Sequence, residues 1–97
     1  MGMKSEKVLE VVGIYRRFFE ENGIGKIDYP HDDILHDAKL GLEHCHGMLD
    51  KMEEFVHEGR MEKAFRWLGF VQGVLWACGY YPIANLMDHN RPETKEE

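Results

Sequence analysis

Val8, Leu9, Val12, Tyr15, Phe18 and Phe19 recur at the three- and four-residue steps of one helical face. They predict a first helix over residues 5–22, with Ser5 as its N-cap, Glu6 in its first turn and Asn22-Gly23 as its stop. Gly25 and Pro30 punctuate a loop after it. Leu35, Ala38, Leu42, Cys45, Leu49, Met52 and Val56 then step by 3, 4, 3, 4, 3 and 4, a heptad seam that Ile34, Met48 and Phe55 widen. The seam predicts a second helix over residues 32–57, opened by the acidic turn around His31–Asp33 and facing a neighbouring helix. His57-Glu58-Gly59-Arg60 reads as a tight turn, so a third helix over residues 60–78 folds back antiparallel on the second. Gly79 ends it, residues 82–88 form a short fourth helix, and residues 89–97 form a polar, mobile tail. The predicted fold is all-α and a single domain over residues 1–97, with an N-terminal helix and a long helical hairpin in a homo-oligomeric bundle.

The expectation of self-association comes from one interruption in the charge pattern. The chain is 31% charged, yet no charged side chain occurs from Trp67 to Met87, a run of 21 residues. A chain of 97 residues buries only about two-thirds of its unfolded surface. So much apolar helix calls for a partner, most simply a second copy meeting it through the seam and through Gly69, Gly73 and Ala77. Those three small residues recur every four positions. Each helical glycine costs about 1 kcal/mol relative to alanine. The stripe admits two readings, close helix–helix packing or a shallow bed for a planar ligand. Gln72, Pro82, Asn85 and the glycines break the run, and its densest part is shorter than the roughly 20 residues of a membrane span, so no membrane role is expected.

Arg60, Lys63 and Arg66 share about a third of the helical circumference just before the apolar run. Arg66 offers a planar fork for phosphate, and Trp67 and Phe70 offer surfaces on which a base can stack. The competing reading pairs Arg66 with Glu62, four residues earlier. A net charge of −6 and a pI near 5.5 argue against long nucleic acid, and Arg16-Arg17 on the first helix does not change that. A local cationic pocket for a small anion stays open.

The remaining chemistry is sparse. Glu43-x-x-His46 is half of a di-iron motif whose second half is missing, so the six histidines are expected to be solvated and no metal or cofactor is expected. Asp50, Glu53, Glu54 and Glu58 have helical spacing, but no matching acidic set on the third helix completes a Mg²⁺ site. No nucleophile triad, phosphate loop or Cys-x-x-Cys occurs, so no enzymatic activity is expected. Cys45 and Cys78 fall in apolar patterns and read as reduced core thiols. The N-terminus has no apolar stretch of the kind found in a secretory leader.

The run Met52 to Gly73, with Arg66-Trp67-Leu68-Gly69-Phe70 at its centre, resembles the helical hairpin of small phage proteins that sequester cyclic nucleotide immune signals, the anti-CBASS and anti-Thoeris sponges. The resemblance covers about a third of the chain, from Gly47 to Gly79. It implies a compact homo-oligomer, with a hexamer as its form, in the cytoplasm of a bacterial host. It also implies a function without catalysis, in which a cyclic di- or trinucleotide is bound and withheld from its effector. By the matching run, Arg66 would contact the ligand and Trp67 would help form the pocket. By position alone, Tyr15 and Lys26 correspond to an aromatic residue and a loop lysine that serve in that family. The alternative is a small helical module that binds and modulates a host or phage protein.

Overall fold

The computed structural model describes residues 4–92. It has four helices: α1 (Ser5–Glu21), α2 (Ala38–His57), α3 (Met61–Ala77) and α4 (Ile83–Asn90). Among the described residues there is no strand, and no helix is long and apolar enough to cross a membrane. Val8, Val11, Val12, Tyr15 and Phe19 form the buried stripe of α1, and Leu9 and Phe18 flank it. The helix opens one residue earlier than its sequence predicts. Lys4 is the flanking residue and no side chain caps the end, so Ser5 lies in the first turn and is not the cap.

Three glycines stop three helices by one device. Gly23, Gly59 and Gly79 have φ of 68, 78 and 83°, a region open to residues without a β-carbon. Each N–H, and that of the next residue, turns back to satisfy the last carbonyls. Ile24 N–H reaches Phe19 O at 2.9 Å, Arg60 N–H reaches Phe55 O at 2.8 Å, and Tyr80 N–H reaches Leu75 O at 3.0 Å. The turn after Gly59 is short, and α2 packs more extensively on α3 than on any other helix.

The second helix is where expectation and structure part. It begins at Ala38 rather than residue 32, because Asp37 caps it by accepting a hydrogen bond from Lys39 N–H at 3.0 Å. Ile34 and Leu35 are 76% and 47% exposed, so a further turn would have had no core to enter. The seam survives as Leu42, Cys45, Leu49, Met52 and Val56, all buried within the chain against α1 and α3. It is therefore consumed by intrachain packing and is not free to join copies. Burial pushes the Cys45 thiol up to about 12, and both cysteines are free.

Ala64, Leu68, Val71 and Leu75 carry the inner face of α3. The outer face carries Phe70, Gly73, Trp76 and Ala77, and the exposed apolar surface continues through Tyr80, Ile83 and Met87. The charge-free run thus hides one side and shows the other.

A polar knot ties α4 to this core. The buried Tyr15 hydroxyl accepts from Gln72 Nε2 at 2.9 Å and lies 2.8 Å from His89 Nδ1. Gln72 and Asn90 exchange two further hydrogen bonds, at 2.9 and 3.1 Å. His89 and Asn90 therefore belong to a packed helix and not to a tail. Residues 93–97 of the predicted tail lie outside the described residues. Desolvation lowers the His89 pKa, with help from Lys7 and against Asp88. The neutral ring is then the one that accepts the Tyr15 proton. As pH falls through 6.5 the unfolded ring protonates before the folded one, so stability is expected to fall below that pH and to level off beneath the depressed folded value. Protection factors of the amides in residues 83–90, taken against the intrinsic exchange rate at each pH, should fall from pH 7.5 to 5 in the parent chain and stay flat in His89→Gln.

Candidate functional site

The loop between α1 and α2 does not hang free. His46 Nδ1 donates to Ile24 O at 2.8 Å, Ile27 N–H donates to Glu43 O at 3.2 Å, and Tyr29 N–H donates to His44 Nδ1 at 3.1 Å. Lys26 Nζ reaches Asp50 at 3.0 Å. These bonds lay residues 24–31 along α2, and Gly47 lets them lie close. A β-carbon at Gly47 would sit 2.9 Å from the Ile27 carbonyl oxygen.

The result is a groove with the loop as one wall, α2 as its floor and α3 as the other wall. Its main chamber, of about 590 Å³, is lined by Lys26, Ile27, Asp28 and His31 from the loop, His44, Gly47, Met48, Asp50 and Lys51 from α2, and Trp67 and Phe70 from α3. A second chamber of about 340 Å³ shares His31, His44 and Phe70 and runs on past Tyr29, Leu35 and Val74. Phe70 is 54% exposed, while Trp67 is half-buried and packs edge-on against Phe55 at 4.9 Å. Size and apolar walls with a few polar groups are the features of small-molecule sites.

An ion network braces one end. Arg16 bridges Glu53 at 2.8 Å and Asp50 at 2.9 Å, and Lys26 holds the second oxygen of Asp50. Burial pushes the Asp50 carboxyl up, but Lys26 and Arg16 together outweigh it and hold it below the usual carboxylate value. At the loop side, Asp28 Oδ1 lies 3.4 Å from His31 Nε2 and 3.9 Å from His44 Nδ1.

The sequence-predicted residues divide among four places. Lys26, Trp67 and Phe70 meet in the groove. Arg60, Lys63 and Arg66 line a separate shallow concavity of about 480 Å³ at the start of α3. There Arg60 lies 5.1 Å and Lys63 4.8 Å from the Phe55 ring centre, and Arg60 pairs with Glu58 at 3.5 Å. Arg66 forms no ion pair with any described residue, so the Glu62 bridge of the competing reading is absent from among them. Gly69 stands on the outer face of α3, where an added β-carbon meets nothing within 4 Å; the same holds for Gly73. Close packing inside the chain therefore does not account for them. Tyr15 is a correction: wholly buried and hydrogen-bonded on both sides, with burial pushing its hydroxyl up to about 12, it offers a ligand no surface.

The histidines are not uniformly solvated either. His46 is buried, stacked on Phe19 at 5.1 Å, and its Nε2 has no hydrogen-bond partner among the described residues. Asp28, His31, His44 and Lys51 were not singled out from the sequence as site residues. No helical period links a loop turn to a position in α2, so nothing along the chain marks them as neighbours. Comparison with protein-family models, curated proteins and solved structures finds no match for this chain.

Proposed function

We propose that this chain is a non-enzymatic binder of a small planar anion of the cyclic di- or trinucleotide class, acting by sequestration as a phage counter-defence sponge would. One observation carries the reading: the groove sets Trp67 and Phe70 on one wall, Lys26, paired with Asp50, on the facing loop and Lys51 on the α2 floor. Stacking on aromatic faces and contact of phosphate with lysine are what such a ligand requires. In this reading α2 and α3 act as the hairpin that carries the site, and copies meet over the outer face of α3. Arg66, free of partners among the described residues, is then available to reach phosphate from a neighbouring copy.

Ligand at about 100 times its Kd adds about 2.7 kcal/mol to stability, a rise in Tm on the order of 10 °C for a domain this small. A panel of cyclic di- and trinucleotides should produce such a shift, and the ligand should be recovered intact after heating. Phe70→Ala is expected to weaken binding at least tenfold with little change in the Tm of the free chain, because the ring is more than half exposed. Absence of any shift across the panel, or parental affinity in Phe70→Ala, would overturn the reading. A protein-binding module is the second reading, favoured by the exposed apolar run of Trp76, Tyr80, Ile83 and Met87. It predicts a specific protein partner and no nucleotide response.

A further inference from the structure

We infer that Asp28, His31 and His44 form a binding site for a borderline divalent transition metal, with Zn²⁺ as the reference ion. One donor atom from each residue lies within 4.8 Å of the other two. A tetrahedral ion with bonds of about 2.0–2.1 Å holds its ligands about 3.3 Å apart. The Asp28–His31 and Asp28–His44 separations of 3.4 and 3.9 Å are already close to that. Two imidazoles and one carboxylate select zinc, cobalt or nickel over magnesium or calcium, which demand oxygen donors.

His44 is the anchored member. It stands on α2, half-buried, while Asp28 and His31 come from the exposed loop and can close on an ion by a small adjustment. The hydrogen bond from Tyr29 N–H leaves the His44 proton on Nε2 and the lone pair on Nδ1. That is the tautomer a metal at Nδ1 needs, and the ion would take the place of the Tyr29 amide. Three protein ligands leave a fourth position open toward water, as in sites that take an exogenous ligand. Both His31 and His44 line the two chambers of the groove, so the added charge would fall on its wall, where Asp28 and Asp50 otherwise offset Lys26 and Lys51. The site stands independently of the organic ligand, and its test uses none.

Titration of the full chain with ZnCl₂ should show one site per chain, a rise in Tm reversed by EDTA, and no comparable response to MgCl₂. Co²⁺ should give the visible bands of a four- or five-coordinate ion. The Tyr29 amide should shift and exchange faster in the metal-bound form. His31→Ala and Asp28→Asn, both at exposed loop positions, should weaken Zn²⁺ binding at least tenfold while the helical signal is kept. His36→Ala and His57→Ala, exposed and outside the cluster, should bind as the parent does. Parental affinity in His31→Ala and Asp28→Asn, equal response to Mg²⁺, or no Zn²⁺ binding at about 1 mM would overturn the inference.

Discussion

Gly47→Ala is expected to destabilise the chain by roughly 1–3 kcal/mol and to abolish the groove, although alanine is the better helix former by about 1 kcal/mol. Gly47 lies inside α2, and the new methyl group would approach the Ile27 carbonyl oxygen to 2.9 Å. The obstacle is backbone, so no side-chain rotation relieves it. The loop must lift, and with it go Ile27 N–H to Glu43 O, Tyr29 N–H to His44 and the Lys26–Asp50 pair. Exchange protection at Ile27 and Tyr29 should vanish, Tm should fall by several degrees, and both nucleotide and Zn²⁺ binding should be lost together. Gly41→Ala is the control. Its methyl group meets only the end of the exposed Leu35 side chain, which can turn away. A Gly47→Ala chain as stable as the parent, with Tyr29 still protected, would mean that the loop is not seated on α2 in solution.

Gly47 also shows where the sequence stopped being readable. The helices were legible because their signals are local. The three- and four-residue steps of Val8, Val12 and Tyr15, and of Leu42, Cys45, Leu49 and Met52, are a property of one helix against one core. Gly23, Gly59 and Gly79 marked the ends for an equally local reason. The start of α2 was misread because Ile34 and Leu35 continue the apolar period while staying outside the core. Periodicity records what a helix could bury and not what is there to bury it against; the Asp37 cap decided the boundary.

The groove was half legible. Trp67 and Phe70 stood out by residue type, and Lys26 entered through the family resemblance. Their meeting depends on a loop that crosses α2, and no pattern along the chain encodes that crossing. Arg60, Lys63 and Arg66 did land together at the start of α3, as their spacing requires, but they line a neighbouring concavity and not the groove, although Lys63 lies 5.9 Å from the ring centre of the groove-lining Trp67. Tyr15 misled because an aromatic residue on an apolar stripe looks the same from sequence whether its hydroxyl is wet or paired. Only Gln72 and His89, 57 and 74 residues away, decide it.

The outer face of α3 yields the sharpest contrast in sign. In the single chain, Gly69 and Gly73 lie in a helix interior with open space where a β-carbon would go. Replacing both by alanine should then stabilise an isolated chain by up to about 2 kcal/mol, from helix propensity alone. In the assembly we propose, the same glycines let a second helix approach closely, and two methyl groups would hold it off. Beside them, Gly73, Trp76, Ile83, Leu86 and Met87, together with the amides Gln72 and Asn90, line a mostly apolar notch of about 200 Å³, which a protruding Trp76 of another copy would suit. Trp76 is 53% exposed, and the face carries no charge to favour an oppositely charged partner. Knob and notch on one surface are what a two-fold contact needs, since each copy supplies both. The double variant Gly69→Ala, Gly73→Ala is thus expected to elute as single chains at concentrations where the parent is assembled, yet to unfold at a higher temperature than the parent's dissociated chain. Trp76→Glu should separate the copies as well, with little loss of helical signal. Light scattering across a dilution series reads the first effect, and thermal unfolding at the lowest concentration reads the second. A parent that scatters as a single chain at every concentration, or a double variant that assembles as the parent does, would remove self-association from this face and leave the two glycines with no structural reason in the fold.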